Sequence, residues 1–163
     1  MFDRRGVVDV QEGAGVGSIL NDADRAAIIQ RIGSVTSASV PRWGRMDAKR
    51  MLTHLSLSAL MALGELPVTC KSNRVFQVFP IKHLILHVVP FPKGAPTAPE
   101  LLPSDSGAVD ALRLELVSLV ERIGAGPIEG MGPVHPLFGR LSFREWGVAT
   151  YKHTDHHLRQ FGA

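Results

Sequence analysis

The chain has 163 residues, 45% of them hydrophobic and 20% charged, with a formal net charge of +3 and one cysteine. That length holds one domain with a full core, and a lone Cys70 excludes an internal disulfide or a multi-cysteine metal site and fits a reducing, cytoplasmic setting. Basic residues are scattered rather than striped despite a pI of 9.4, which argues against nucleic acid as the partner; no run nears the roughly 18 apolar residues of a membrane span.

Residues 1–18 contain GAGVG and no helical period, and are read as a flexible N-terminal arm before a single domain over 19–163. GAGVG follows no strand-like run and lacks the glycine spacing of a dinucleotide loop. Nor do the first residues hold the apolar run of a signal peptide. A first helix is expected from Asn21 or Asp22, where NDADR supplies a cap and first-turn acids, to Ile32 before Gly33. A second should start near Asp47 and end near Gly64. Its interior, MLTHLSLSALMAL, is apolar almost all round and belongs at the centre of the fold.

RVFQVFPIKHLILHVVPF is rich in β-branched residues and could be a buried strand. Yet Ile81, Leu84, Ile85 and Val88 follow the i, i+3, i+4, i+7 spacing, and Pro80 suits a first turn, so a helix burying that stripe is expected. VPFPKGAPTAPELLPSDSG carries Pro90, Pro92, Pro96, Pro99 and Pro103 and reads as a long proline-rich crossover. A further amphipathic helix runs from Val109 to Ile123 and stops at Gly124. GAGPIEGMGPVHPLFGR is expected to be loop. The last helix opens at Ser142, with Glu145 closing a capping box, and continues to Phe161. Helices of this length with no confident strand fit an all-α class of the four-helix-bundle type.

Three of the seven histidines fall in HTDHH: His153, His156 and His157. On a helical wheel Trp146, Thr150, His153, His157 and Gln160 lie within roughly 40° of one direction, with Phe143 and Phe161 beside it. Lys152, Asp155 and Arg159 fall on the far side. The aromatic face must be the buried one, and His156 projects to its edge. Neutral imidazole has one donor and one acceptor to satisfy when buried. Two rings at i and i+4 can grip one ion, or they can be core histidines bonded to other side chains. His83 and His87 share the spacing but point away from the apolar stripe expected for their helix, and are rejected as primary ligands. His54, alone in the most apolar helix, needs a reason for burial. With His153 and His157 it makes a three-nitrogen face drawn from two helices.

Other residues could shape the pocket. His135, in VHPLFG, could reach over the mouth as a group behind the ligands or a proton shuttle, or simply be fixed by Pro136. Asp47 and Glu65 on the His54 stripe could orient a ligand ring. Trp43 and Trp146 suit core or pocket wall, and Cys70 beside Lys71 is better read as inert than as a reactive thiol.

HPLFGRLSFREWGVATYKHTDHHLRQFGA resembles the C-terminal signature of a domain-of-unknown-function branch of the DinB-like superfamily, closing on a HxxHHxxQFG pattern. PRWGRMDAKRMLTHL is similar to the branch's second-helix segment, and PFPKGAPTAPEL to its crossover, so that the likeness spans roughly residues 20–163. The resemblance implies a DinB-like four-helix bundle, often a homodimer, with a divalent metal on one histidine of the second helix and two of the last. Those roles map onto His54, His153 and His157, the residues the wheels single out.

Three neutral imidazoles leave coordination positions open, the arrangement that activates a water or a thiol. All-nitrogen ligation admits zinc or nickel, with iron, manganese and cobalt behind them. The leading expectation is a metal-dependent transferase or hydrolase acting on a small thiol or another small-molecule substrate. The alternatives are a non-catalytic metal- or ligand-binding helical bundle and, behind it, a basic adaptor for nucleic acid or protein.

Overall fold

The computed structural model describes residues 16–69, 74–93, 99–103 and 107–163. Five helices and a two-stranded hairpin follow in the order α1 (Asp22–Ser34), α2 (Ala48–Ala62), α3 (Ile81–His87), α4 (Val109–Gly124), β1 (Met131–His135), β2 (Gly139–Ser142) and α5 (Phe143–Phe161). Single 3₁₀ turns at Arg74–Gln77 and Pro99–Leu101 punctuate the long connection between α2 and α4. The fold is mostly helical, as the apolar periodicity predicts. No helix among the described residues is long and apolar enough to cross a membrane.

Helix ends sit where the capping chemistry places them. Asn21 accepts from the Asp24 amide and Asp47 from the Arg50 amide, opening α1 and α2. Ser142 and Glu145 form the reciprocal capping box that opens α5, and Gly162, at φ +76°, closes it in the left-handed conformation. α1 runs on through Gly33 to Ser34, two residues past the expected stop.

The core lies where α1, α2, α4 and α5 meet. Met51, Leu52 and Leu55 of α2 pack with Ile28 and Ile32 of α1, Leu116 and Val120 of α4, and Leu158 of α5 in one fully buried cluster. α2 touches both α4 and α5, the central position its all-round apolar surface requires. Arg31 of α1 ties to Asp155 of α5 at 2.7 Å and to the Ala163 carbonyl at 3.1 Å.

Three local expectations are corrected. The supposed loop before α5 contains the antiparallel hairpin β1–β2, pairing Val134 with Arg140 and His135 with Gly139, with an irregularity between Met131 and Val134 that accommodates Pro133. α3 is helical, but the buried residue is Leu86. Leu84 and Val88, from the stripe expected inside, are 47% and 65% exposed. Two turns are too short for a hydrophobic period to fix a face, and Lys152 of α5 instead holds this helix by its C-terminal carbonyls at Ile85 and Leu86. Residues 16–18 are packed: Gly17 lies directly against the Tyr151 ring, and the Ser18 amide donates to Asp24. The rest of the expected arm, residues 1–15, lies outside the described residues, as do Cys70, Lys71 and Pro96.

Candidate metal centre

α2 and α5 cross so that His54 meets His153 and His157. The His54 ring centroid lies 4.9 Å from that of His153 and 5.0 Å from that of His157, and the two α5 rings are 4.9 Å apart. One ring nitrogen from each lies within 4.8 Å of the others, a cluster that could hold one metal ion. The helical stripe predicts this face correctly: Trp146, Thr150 and Gln160 are buried with it, and His54 is 4% exposed. Its supposed far side holds for one residue of three. Arg159 is exposed, but Lys152 and Asp155 are half-buried because each finds polar partners across the helix interface.

The outer hydrogen bonds fix which nitrogen each ring offers. His54 Nδ1 lies 2.9 Å from the Leu101 carbonyl. A carbonyl only accepts, so Nδ1 carries the proton and the lone pair of a neutral His54 is on Nε2. His157 Nδ1 lies 2.8 Å from Gln160 Oε1, and Gln160 Nε2 donates to the Trp43 carbonyl at 2.8 Å. That second bond orients the amide, so Oε1 is the acceptor and His157 also keeps its lone pair on Nε2.

His153 is placed by Ser58, whose hydroxyl lies 3.1 Å from Nδ1, while its Nε2 stands 3.1 Å from that of His54. Without an ion, both contacts are met in one arrangement: Ser58 donates to Nδ1 and His153 Nε2–H donates to His54. With an ion between the rings, Nδ1–H would donate to Ser58 instead, leaving all three Nε2 lone pairs facing inward. The serine rotor serves both.

Electrostatics hold the rings in the neutral form that binds metal. Burial pushes His153 well below the ordinary histidine range, and a charge on His157, His54 or His135 would push it further. Burial takes His157 to about 4, the Gln160 contact opposing, and lowers His54 despite its Leu101 bond. The approach is walled by aromatic groups. Phe91 lies 6.3 Å from His153 and 6.4 Å from His156; Trp43 lies 5.9 Å from His156, with Lys93 Nζ 4.5 Å over the indole. Cavities of about 250 and 220 Å³, beside Arg113 and beside Leu63, include none of the three histidines.

The other sequence candidates separate cleanly. Asp47 caps α2 and Glu65 pairs with Arg122, so neither orients a ligand ring. That work falls to Leu101, Ser58 and Gln160. Ser58 and Gln160 sit on the two histidine stripes in the sequence, and their position one turn from a ligand is the signal that marks them. His83 and His87 stack at 4.4 Å on α3, away from the triad. His135 packs at 5.2 Å from Trp146, on the inward face of α5. Comparison with family models, curated proteins and solved structures gives no match.

Proposed function

We propose that this chain is a DinB-like four-helix bundle that takes a divalent metal on His54, His153 and His157 and works as a metal-dependent transferase or hydrolase. Zinc or nickel is the preferred ion, ahead of iron, manganese and cobalt. The observation supporting this reading is the set of outer bonds from Leu101 and Gln160, which turn the Nε2 lone pairs of His54 and His157 toward the same buried point as His153.

A divalent ion at this point supplies Lewis acidity, lowering the pKa of a water or thiol toward neutrality. The chain's contribution is geometric and electrostatic. Three neutral imidazoles add no negative charge, so the site favours an anionic ligand such as a thiolate. Ser58, Leu101 and Gln160 hold the rings at fixed angles. Trp43, Phe91 and His156 flank the histidines and give a small-molecule substrate an aromatic wall to rest on.

The deciding measurement is elemental analysis of protein purified without a metal-affinity column. The native chain should carry about one divalent ion. His54→Ala, His153→Ala and His157→Ala should each lose it while retaining helical circular dichroism. Equal metal in native protein and His153→Ala would refute the assignment.

A further inference from the structure

His135 ends β1, and its ring does two things at once. Nδ1 accepts from the Leu137 amide at 3.1 Å and the Phe138 amide at 3.2 Å, closing the hairpin turn that Gly139 completes at φ +66°. Two N–H groups aimed at one nitrogen leave no room for a proton on it, so the neutral ring carries its proton on Nε2. Phe138 and Trp146, with centroids at 4.8 and 5.2 Å, pack against the ring. Burial keeps it neutral, taking its pKa to about 4.

Nε2–H is thus the free end of a locked side chain. It makes no hydrogen bond among the described residues, where the sealed side-chain atoms lacking a partner are Thr53 Oγ1 and Ser56 Oγ. Trp146, Thr150 and His153 succeed one another along one face of α5, so a ring packed against Trp146 lies about two turns up that face from His153.

We propose that His135 is a positioning residue whose Nε2–H, locked by the hairpin turn, donates a hydrogen bond to an anion held at the three-histidine site. This rests on the metal-centre reading above. It makes His135 a neutral donor rather than a proton shuttle, since the nitrogen that would receive an incoming proton is already occupied by two amides. The ligand class it selects is an anion with an acceptor atom beyond the one held at the histidines, such as a carboxylate or a hydroxamate.

The test uses His135→Asn, because the asparagine side-chain oxygen can still cap the Leu137 and Phe138 amides while the Nε2–H is gone. Cobalt-loaded native and variant protein are titrated with azide, followed by the visible spectrum. The variant should keep its cobalt and its unfolding midpoint but bind azide about tenfold more weakly. In the zinc-loaded native chain, imidazole nitrogen NMR should show His135 protonated on Nε2, with that signal moving when azide is added. Matching azide affinities in two cobalt-loaded proteins overturn the proposal and leave His135 a turn cap. A His135 protonated on Nδ1 overturns it even should the variant misfold. A native chain that takes no cobalt instead sinks the metal reading on which the proposal stands.

Discussion

His54 and His153 face each other through their Nε2 atoms at 3.1 Å, while the far nitrogen of His54 is committed to the Leu101 carbonyl. Nitrogens sharing a tetrahedral ion at about 2.0–2.1 Å stand roughly 3.3 Å apart, so the contact is already near the spacing an ion imposes. For this pair binding should therefore cost little rearrangement, and across the triad, whose nitrogens lie within 4.8 Å of one another, it should appear as added stability. Zinc at about a hundred times its Kd should raise unfolding free energy by about 2.7 kcal/mol. Calorimetry with and without a chelator measures this. His153→Ala should show no zinc-dependent shift; a shift equal to the native one would place the ion elsewhere.

Ser58 and Gln160 extend the argument one bond outward. Gln160 joins the His157 ring to the Trp43 carbonyl, so it fixes both a ligand and the wall of the approach. Gln160→Ala should weaken zinc affinity about 10–100-fold, the usual cost of losing an orienting partner, with the ion count at saturation unchanged. Ser58→Ala should weaken it by the lower end of that range and also destabilise the metal-free chain, because His153 Nδ1 loses its donor there. Competition with a chromophoric chelator gives both affinities. Unaltered binding in both variants would show that packing alone orients the rings.

Acid should destabilise the metal-free protein in a defined window. His135 and His157 both have folded pKa values of about 4 against an ordinary 6.5, because burial penalises their charged forms. Between those values the unfolded chain binds more protons than the folded one, so stability is complete above pH 6.5 and falls as pH drops toward 4. Each group contributes a slope of up to about 1.4 kcal/mol per pH unit within the window, and His54 and His153 act in the same direction. Urea unfolding at a series of pH values reads the slope directly. His135→Asn should make it shallower, and constant stability from pH 7.5 to 4.5 would show that these rings are not held neutral.

What the sequence disclosed depends on the number of turns available to carry a pattern. α5 has 19 residues, so its stripe defines a face and brings His153, His157 and Gln160 to one side. α3 has seven, and its apparent stripe of Leu84 and Val88 proves exposed while Leu86 is buried. The hairpin is not legible as two strands because β1 contains Pro133 and does not alternate in polarity. Its turn was nevertheless written in HPLFG, with proline after the first turn residue and glycine in the left-handed position. Lys152 and Asp155 mislead for another reason. Charge predicts exposure, but a long stem can cross an interface once a carbonyl or an arginine waits on the other side.

Two glycine substitutions separate packing from backbone freedom. A methyl group on Gly132 would lie 2.6 Å from Trp146 Cδ1 and 3.0 Å from Nε1, and the indole is held by its bond to the Pro133 carbonyl at 3.0 Å. Because Trp146 also braces the His135 ring, the displaced indole disturbs both the core and the hairpin. Gly132→Ala should cost about 1–3 kcal/mol, the range for overpacking. Gly33, by contrast, lies in α1 with nothing within 4 Å of a built methyl, so Gly33→Ala should stabilise by about 0.5–1 kcal/mol through helix propensity. Denaturant midpoints for the pair provide the check: if Gly132→Ala matches the native chain, Trp146 is free to move, and the clamp attributed to it on His135 does not exist.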